Sequence, residues 1–277
     1  MDIRELYKLN LQNSEKFAEL MSVCYTILQH SEIAKGTRDY LKSRVPSFFI
    51  EGFQFGYFPT NSELNELFYY INPEELEKLG VIYKKCVYDS GQPEMVYCGK
   101  LNNHNLIMPY KDVYGNIIGL VGRTLLSEKE TKEQKISKYK NTSIIKGMNL
   151  FGLYEAKKEI LKQDCVIIVE GQFDCISCHR FGYKNVVALG GSAFTKYHLY
   201  LIKRYTNNIN LLLDNDFAGA KSTSNIIKRF ADKADIKTIS LPQEYKDVDI
   251  YMRDDKEHNL LREFTWRKNS EQISHNT

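Results

Sequence analysis

Four short apolar runs, each spaced from the next by a stretch of helical pattern, dominate the second half of this 277-residue chain and leave it few folds to adopt. Val166-Ile167-Ile168-Val169 is apolar without interruption, as expected of a strand covered on both faces. A helical stretch follows and ends at Gly182. Asn185–Leu189 is a second expected strand, Phe194–Tyr205 a second helix and Ile209–Leu213 a third strand; Phe217–Ala231 is then a helix and Ile236–Leu241 a fourth strand. Strands alternating with helices of this length predict βαβ units and an open parallel sheet over residues 164–253.

The first half reads differently. Apolar residues at Phe17, Leu20, Met21, Cys24, Ile27 and Leu28 follow helical spacing within a helical first 45 residues. Helical signals return at Ser62–Tyr70 and at Pro73–Leu79, which Gly80 closes. Leu106–Tyr110 and Ile117–Val121 flank Asp112–Asn116, a connection with hairpin chemistry. The expected fold is therefore α/β: a mixed α+β N-terminal part over 1–163, the parallel-sheet domain over 164–253, and a short helical or disordered tail over 254–277.

Composition excludes more than it reveals. The opening MDIRELYKLN is polar, unlike an export signal, and no apolar run nears the roughly 20 residues of a membrane span. A cytoplasmic protein with no membrane partner is expected. Its six scattered cysteines then read as reduced thiols. Net charge is only +3, but Lys135–Lys146 holds four lysines and no acid, interleaved with Tyr139 and Asn141. A solvated face explains such a stretch; so does contact with a phosphate backbone.

Open parallel sheets build sites beyond the carboxyl ends of their strands. The first strand runs into Glu170-Gly171, with Asp174 one turn into the next helix. The third ends in Asp214-Asn215-Asp216, and Lys246-Asp247-Val248-Asp249 follows the fourth. If the first and third strands are neighbours, Glu170 stands beside Asp214 and Asp216. Singly, each acid fits the preference of Asp and Glu for helix N-caps and first turns. Together they resist that explanation, since two unit charges about 4 Å apart repel by about 4 kcal/mol at an effective dielectric near 20. A cation offsets the repulsion, and carboxylates without His or Cys favour Mg²⁺ or Mn²⁺. The residues alone predict a divalent-metal site for two ions, suited to phosphoryl or nucleotidyl transfer. Gly171 and Gly219 let backbone or phosphate come close, and Gly190-Gly191-Ser192 makes a pliant loop after the second strand.

Val169-Glu170-Gly171-Gln172-Phe173-Asp174 with Asp214-Asn215-Asp216-Phe217-Ala218-Gly219 resembles the TOPRIM signature, shared by bacterial-type primases, topoisomerases and some nucleases. Upstream, Lys35-Gly36-Thr37-Arg38-Asp39-Tyr40-Leu41 and Gly56-Tyr57-Phe58-Pro59 resemble the opening of the catalytic core of bacterial-type (DnaG-like) primases. Ile107-Met108-Pro109-Tyr110, Gly115-Asn116-Ile117-Ile118-Gly119 with Gly122-Arg123, and Lys138-Tyr139-Lys140-Asn141-Thr142-Ser143 with Gly152-Leu153-Tyr154-Glu155-Ala156 resemble later blocks of that core, in order. Lys246-Asp247-Val248-Asp249 stands at the family's third acidic motif. The resemblance spans residues 34 to 253.

It implies a primase RNA-polymerase core that makes short RNA primers on single-stranded DNA from ribonucleoside triphosphates. Glu170, Asp214 and Asp216 would be the principal metal ligands and catalytic residues, with Asp174, Asp247 and Asp249 supporting. Arg44, Arg123, Lys138, Asn141 and Lys146 would form a basic ridge guiding template and nucleotide. The implied cofactor is Mg²⁺ (or Mn²⁺), with no zinc and no haem. Two departures are mild: Ser192 replaces the family's Thr, keeping a hydroxyl, and Val248 replaces Pro, keeping both acids. Paired Cys/His zinc ligands and a GxxxxGK[ST] loop are not found, so a zinc-binding module and a replicative helicase are expected as partners. The Lys, Asn, Ile and Tyr bias fits an AT-rich bacterial or phage genome.

Cys175-Ile176-Ser177-Cys178-His179 spells the haem-attachment string CxxCH, but it begins inside an expected helix, where packed thiols are the better reading. Two rival functions use the same residues. A TOPRIM nuclease would hydrolyse DNA with these acids, and a non-catalytic replisome component would bind single strands only.

Overall fold

The structure, a computed structural model, describes residues 2–45, 53–191 and 193–254. The expected tail beyond Asp254, and Ser192 of the glycine loop, lie outside the described residues. The chain forms two compact units, residues 1–111 with 116–144, and 112–115 with 145–277.

The first unit begins with helices Ile3–Gln12, Ser14–His30 and Lys35–Arg44. The second of these buries Phe17, Leu20, Met21, Cys24, Ile27 and Leu28, the stripe its helical spacing predicts. Short helices Asn65–Phe68 and Pro73–Leu79 follow, the latter closed by Gly80 at φ 76°, a left-handed cap that favours glycine. β1 (Gly56–Tyr57), β4 (Leu106–Lys111), β5 (Ile117–Arg123) and β6 (Tyr139–Asn141) pair antiparallel in the order β1-β4-β5-β6. The expected hairpin is β4–β5.

A second hairpin, β2 (Ile82–Asp89) with β3 (Gln92–Gly99), has no counterpart in the sequence analysis. Its turn is Ser90-Gly91 with φ 49° and 82°, the positive pair of a tight hairpin turn. The ribbon is two-stranded and largely exposed, so no apolar alternation marks it, and Pro93 is tolerated because both strands are edges.

The second unit carries the expected parallel sheet. β7 (Val166–Val169), β8 (Val186–Ala188), β9 (Asn208–Leu211) and β10 (Asp235–Thr238) lie in the order β10-β9-β7-β8, every pair parallel. The chain leaves β7 to one side for β8, then crosses back to the other for β9. That reversal puts a topological switch point between β7 and β9, where crevices open. On one face, Val166, Ile168, Val187, Ile209 and Leu211 pack against Leu199, Ile202, Ile226 and Phe230 of helices Lys196–Ile202 and Phe217–Phe230. Helix Leu153–Gln163, read from sequence with the N-terminal part, joins this core through Leu153, Ala156 and Ile160. Residues 145–163 therefore fold with the parallel sheet. Helix Gln172–Arg180 packs against β8 and helix Val248–Asp254, and residues 172–179 are buried all round. Among the described residues, no helix is long and apolar enough to cross a membrane.

Ile168→Ala, on the strand between β8 and β9, is expected to lower stability by about 2–5 kcal/mol. Lys85→Ala on the exposed β2–β3 ribbon should stay within about 0.5 kcal/mol. Urea unfolding followed by far-ultraviolet circular dichroism distinguishes the two.

Candidate active site

β7 and β9 pair side by side, so the acids that follow them meet. Glu170 Oε1 accepts a hydrogen bond from the Asp214 backbone N–H at 3.3 Å. Asp216 caps helix Phe217–Phe230, its Oδ1 accepting from the Gly219 N–H at 2.8 Å. Gly219 is the glycine this site requires. A Cβ there would fall 2.1 Å from the Asp214 carbonyl oxygen and 3.1 Å from Glu170 Oε1. Any other residue would push the helix start away from the carboxylates.

The third acidic motif joins the same rim. Lys246 accepts from the Asn215 N–H at 2.9 Å, tying the two acidic loops together. Asp247 Oδ1 accepts from the Ile250 N–H at 2.8 Å, at the start of helix Val248–Asp254. Asp249 is buried; it accepts from the Ser177 hydroxyl through Oδ1 and pairs with Arg253 through Oδ2 at 3.3 Å. Its own N–H donates to Asp174 Oδ1 at 3.1 Å, while Asp174 Oδ2 accepts from the Gly171 N–H at 2.9 Å. Asp174 and Asp249 thus clamp two helices together, a role no sequence motif announces. Ser177 belongs to that clamp and was not foreseen.

The electrostatics follow from this crowding. Burial lifts the Glu170 carboxyl above its ordinary range; the Asp214 N–H opposes that rise and the Asp216 charge adds to it. Burial pushes Asp174 up to about 8, with the charges of Asp214, Asp247 and Asp249 adding to it. Among the described residues, no three His, Cys, Asp or Glu side chains form a ready-made metal cage. Glu170, Asp174, Asp216 and Asp247 are each anchored by a backbone N–H group, and the like charges of the cluster repel. An all-oxygen donor set under like-charge strain fits a hard divalent cation. Beside Asp214 and Asp216 a cleft of about 580 Å³ opens between helix Phe217–Phe230 and the ends of β9 and β10. Thr223, Ser224 and Lys228 line it, and its size suits a small ligand.

The basic residues separate into two groups. In the first unit, Arg123 lies 5.6 Å from the Tyr40 ring and 5.4 Å from the Tyr139 ring, and donates to the Tyr139 hydroxyl at 2.6 Å. Arg44 stands 5.5 Å over Tyr40, and Lys138 6.0 Å over Tyr139. Asn141 lies on β6, paired with Val121. Tyr40 and Tyr139 were not identified as candidate site residues; an aromatic placed among cations is the signal that marks them. Lys146 belongs to the second unit, where its Nζ donates to the Gly190 carbonyl at 3.0 Å. Cys175, Cys178 and His179 are buried in the helix after β7, and burial pushes both thiols up. They are packed, as expected.

Comparison with known proteins gives this geometry its context. Residues 24–157 match the family model described as the DNA primase catalytic core, N-terminal domain, and residues 167–252 match a Toprim-like model. The chain belongs to the DnaG-type DNA primase family. It is 34% identical to the DNA primase of Aquifex aeolicus over 57% of this chain and 31% of the relative. It is likewise 34% identical to that of Clostridium acetobutylicum, over 68% of this chain and 29% of the relative. The chain therefore spans about a third or less of these relatives' length. Among solved structures it resembles the zinc-binding and RNA polymerase domains of the Aquifex aeolicus primase, with TM-score 0.72 and 27% identity, covering 95% of this chain and 61% of that one. A DnaG primase catalytic domain bound to single-stranded DNA gives TM-score 0.70 and 25% identity, covering 94% and 81%.

The raised Asp174 carboxyl has a consequence for pH. An unfolded Asp releases its proton near pH 4, whereas this one holds it to about 8. The folded protein binds the extra proton between those values, so this contribution to stability is full below about pH 4 and lost as pH rises towards 8. Urea unfolding in EDTA at about pH 5 and about pH 8 should show wild type losing more stability across the interval than Asp174→Asn. Equal losses would contradict the raised carboxyl.

Proposed function

We propose that this chain makes short RNA primers on single-stranded DNA from ribonucleoside triphosphates, by metal-assisted nucleotidyl transfer. The meeting of Glu170 with the Asp214–Asp216 loop just beyond two adjacent strands, in a chain whose first half matches the primase catalytic core, carries this reading.

In this reading Glu170, Asp214 and Asp216 hold Mg²⁺ or Mn²⁺ in a two-ion site, with Asp174, Asp247 and Asp249 supporting. When bound, such ions lower the pKa of a 3′-hydroxyl and stabilise charge on the triphosphate. The chain's own groups do the rest. Backbone N–H groups at Asp214 and Gly219 aim the carboxylates, and Gly219 keeps the helix start close. Arg44, Arg123, Lys138 and Asn141 hold template or nucleotide phosphate, and Lys146 does so at the Gly190 loop. The proposed division of labour sets basic residues within 1–163 to guide the template and carboxylates within 164–253 to hold the ions. A replicative helicase and a separate zinc-binding module are the proposed partners, and the cytoplasm of a bacterial cell, host- or phage-encoded, the proposed place of action.

The test is primer synthesis on single-stranded DNA. Glu170→Gln and Asp214→Asn should each lower synthesis by at least about 100-fold, the loss expected when several kcal/mol of transition-state stabilisation disappear. Both should keep salt-sensitive DNA binding. Variants as active as wild type contradict the assignment. Cleavage of labelled DNA in Mg²⁺ without nucleotides points to the nuclease reading instead.

A further inference from the structure

A second surface of the parallel-sheet unit, apart from the acidic rim, carries the chemistry of a nucleic-acid track. The segment from Lys196 to Tyr205 holds three basic residues, three tyrosines and no acid. Its helix Lys196–Ile202 turns Leu199 and Ile202 into the core and leaves Lys196, Tyr197, Tyr200, Lys203 and Arg204 outside. Tyr200 is 69% exposed. A helix that crosses from one parallel strand to the next runs back from the carboxyl edge to the amino edge of the sheet. This one starts at the carboxyl edge beside Lys146, where His198 bonds the Lys146 carbonyl at 2.8 Å and Thr195 donates to the Gly147 carbonyl at 2.5 Å.

The loop 112–115 extends the surface. Tyr114, 67% exposed, lies close to Arg204, whose guanidinium stands 6.0 Å over the Tyr205 ring and near Tyr200. On the other side, Lys157 donates to the Val113 carbonyl at 2.8 Å and sits 4.4 Å over the Tyr154 ring. That ring lies against Gly115, where a Cβ would come within 2.7 Å of it. Helix Leu153–Gln163 presents Tyr154, Lys157, Lys158 and Leu161 along one face, with the half-buried Glu155 and Glu159 rotated about 110° and about 150° from its centre by helical geometry. Asp112, the acid of the loop, is buried. Exposed rings and cations alternate here without a surface acid among them.

We propose that this face binds single-stranded nucleic acid, taking the strand along helix Lys196–Ile202 from the carboxyl edge of the sheet towards Tyr114. Exposed tyrosine rings are platforms for unstacked bases, and the cations between them meet phosphates. Duplex hides its base faces and gains only the charge. A protein partner is disfavoured by Lys157, Lys158, Lys196 and Lys203, since protein interfaces are depleted of lysine. The inference extends the proposed primase function, which supplies a single strand to hold, but it is tested by binding alone.

The experiment is fluorescence anisotropy with a labelled oligo(dT) of roughly 20 nucleotides, without ribonucleotides, across a salt series. Tyr114→Ala with Tyr200→Ala should weaken binding by about tenfold or more, and Tyr200→Phe, which keeps the ring, should bind as wild type. Arg204→Ala should reduce the slope of log affinity against log salt by about 0.7, one phosphate contact on a single strand. The double alanine variant should lose far less affinity for duplex than for oligo(dT). All these side chains are exposed, so thermal melting should be unchanged. Wild-type affinity in the double alanine variant, or a Tyr200→Phe variant as weak as alanine, overturns the proposal. An unaltered affinity with primer synthesis intact refutes the track alone. Weakened binding in the double alanine variant, together with a wild type that makes no primers, leaves the track standing and refutes the enzyme.

Discussion

Carboxylates that converge at one edge of a sheet repel one another, and the second unit is organised around tolerating that repulsion. β7 and β9 are adjacent because the chain reverses direction across the sheet between them, and each strand delivers an acid to the same crevice. Burial alone would force such groups to hold their protons. The rise at Glu170 and Asp174 is the mark of that pressure, with Asp214, Asp216, Asp247 and Asp249 adding charge from nearby.

The fold answers with backbone rather than with cations of its own. N–H groups of Gly171, Asp214, Gly219, Asp249 and Ile250 each point at a carboxylate, and several belong to helix starts, where unsatisfied donors are abundant. Arg253 pairs with Asp249, away from the Glu170–Asp214 contact. The acids therefore fall into two sets. Asp174 and Asp249 hold helix Gln172–Arg180 to helix Val248–Asp254, whereas Glu170 meets the Asp214 backbone after β7 and β9, and Asp214 and Asp216 line the cleft beside them. A divalent cation suits the second set.

The parallel sheet was legible because β7 and β8 are buried throughout, and an apolar run such as Val166–Val169 has no other comfortable reading; β10, largely exposed, leaves a weaker trace. The helix Ser14–His30 was legible for the same reason, one stripe of side chains meeting one core. The β2–β3 ribbon left no such trace, since exposed strands need no alternation; Ser90-Gly91 was its clearest sign. Residues 145–163 looked like the end of the first half because the burial of Leu153, Ala156 and Ile160 against β7 depends on contacts no local pattern encodes. At the site, the acids themselves could be read from their place after strands. Their partners could not: Ser177 meets Asp249 from 72 residues away, and the two tyrosines around Arg123 come from separate elements.

The central claim is that the edge shared by β7 and β9 holds a divalent cation between Glu170 and the Asp214–Asp216 loop. Crystals grown or soaked with Mn²⁺ and measured at the manganese absorption edge test it directly. The account predicts anomalous density bounded by Glu170, Asp214 and Asp216 in wild type, lost in Glu170→Gln. Density at other carboxylates only, or the same peak in both proteins, would contradict it.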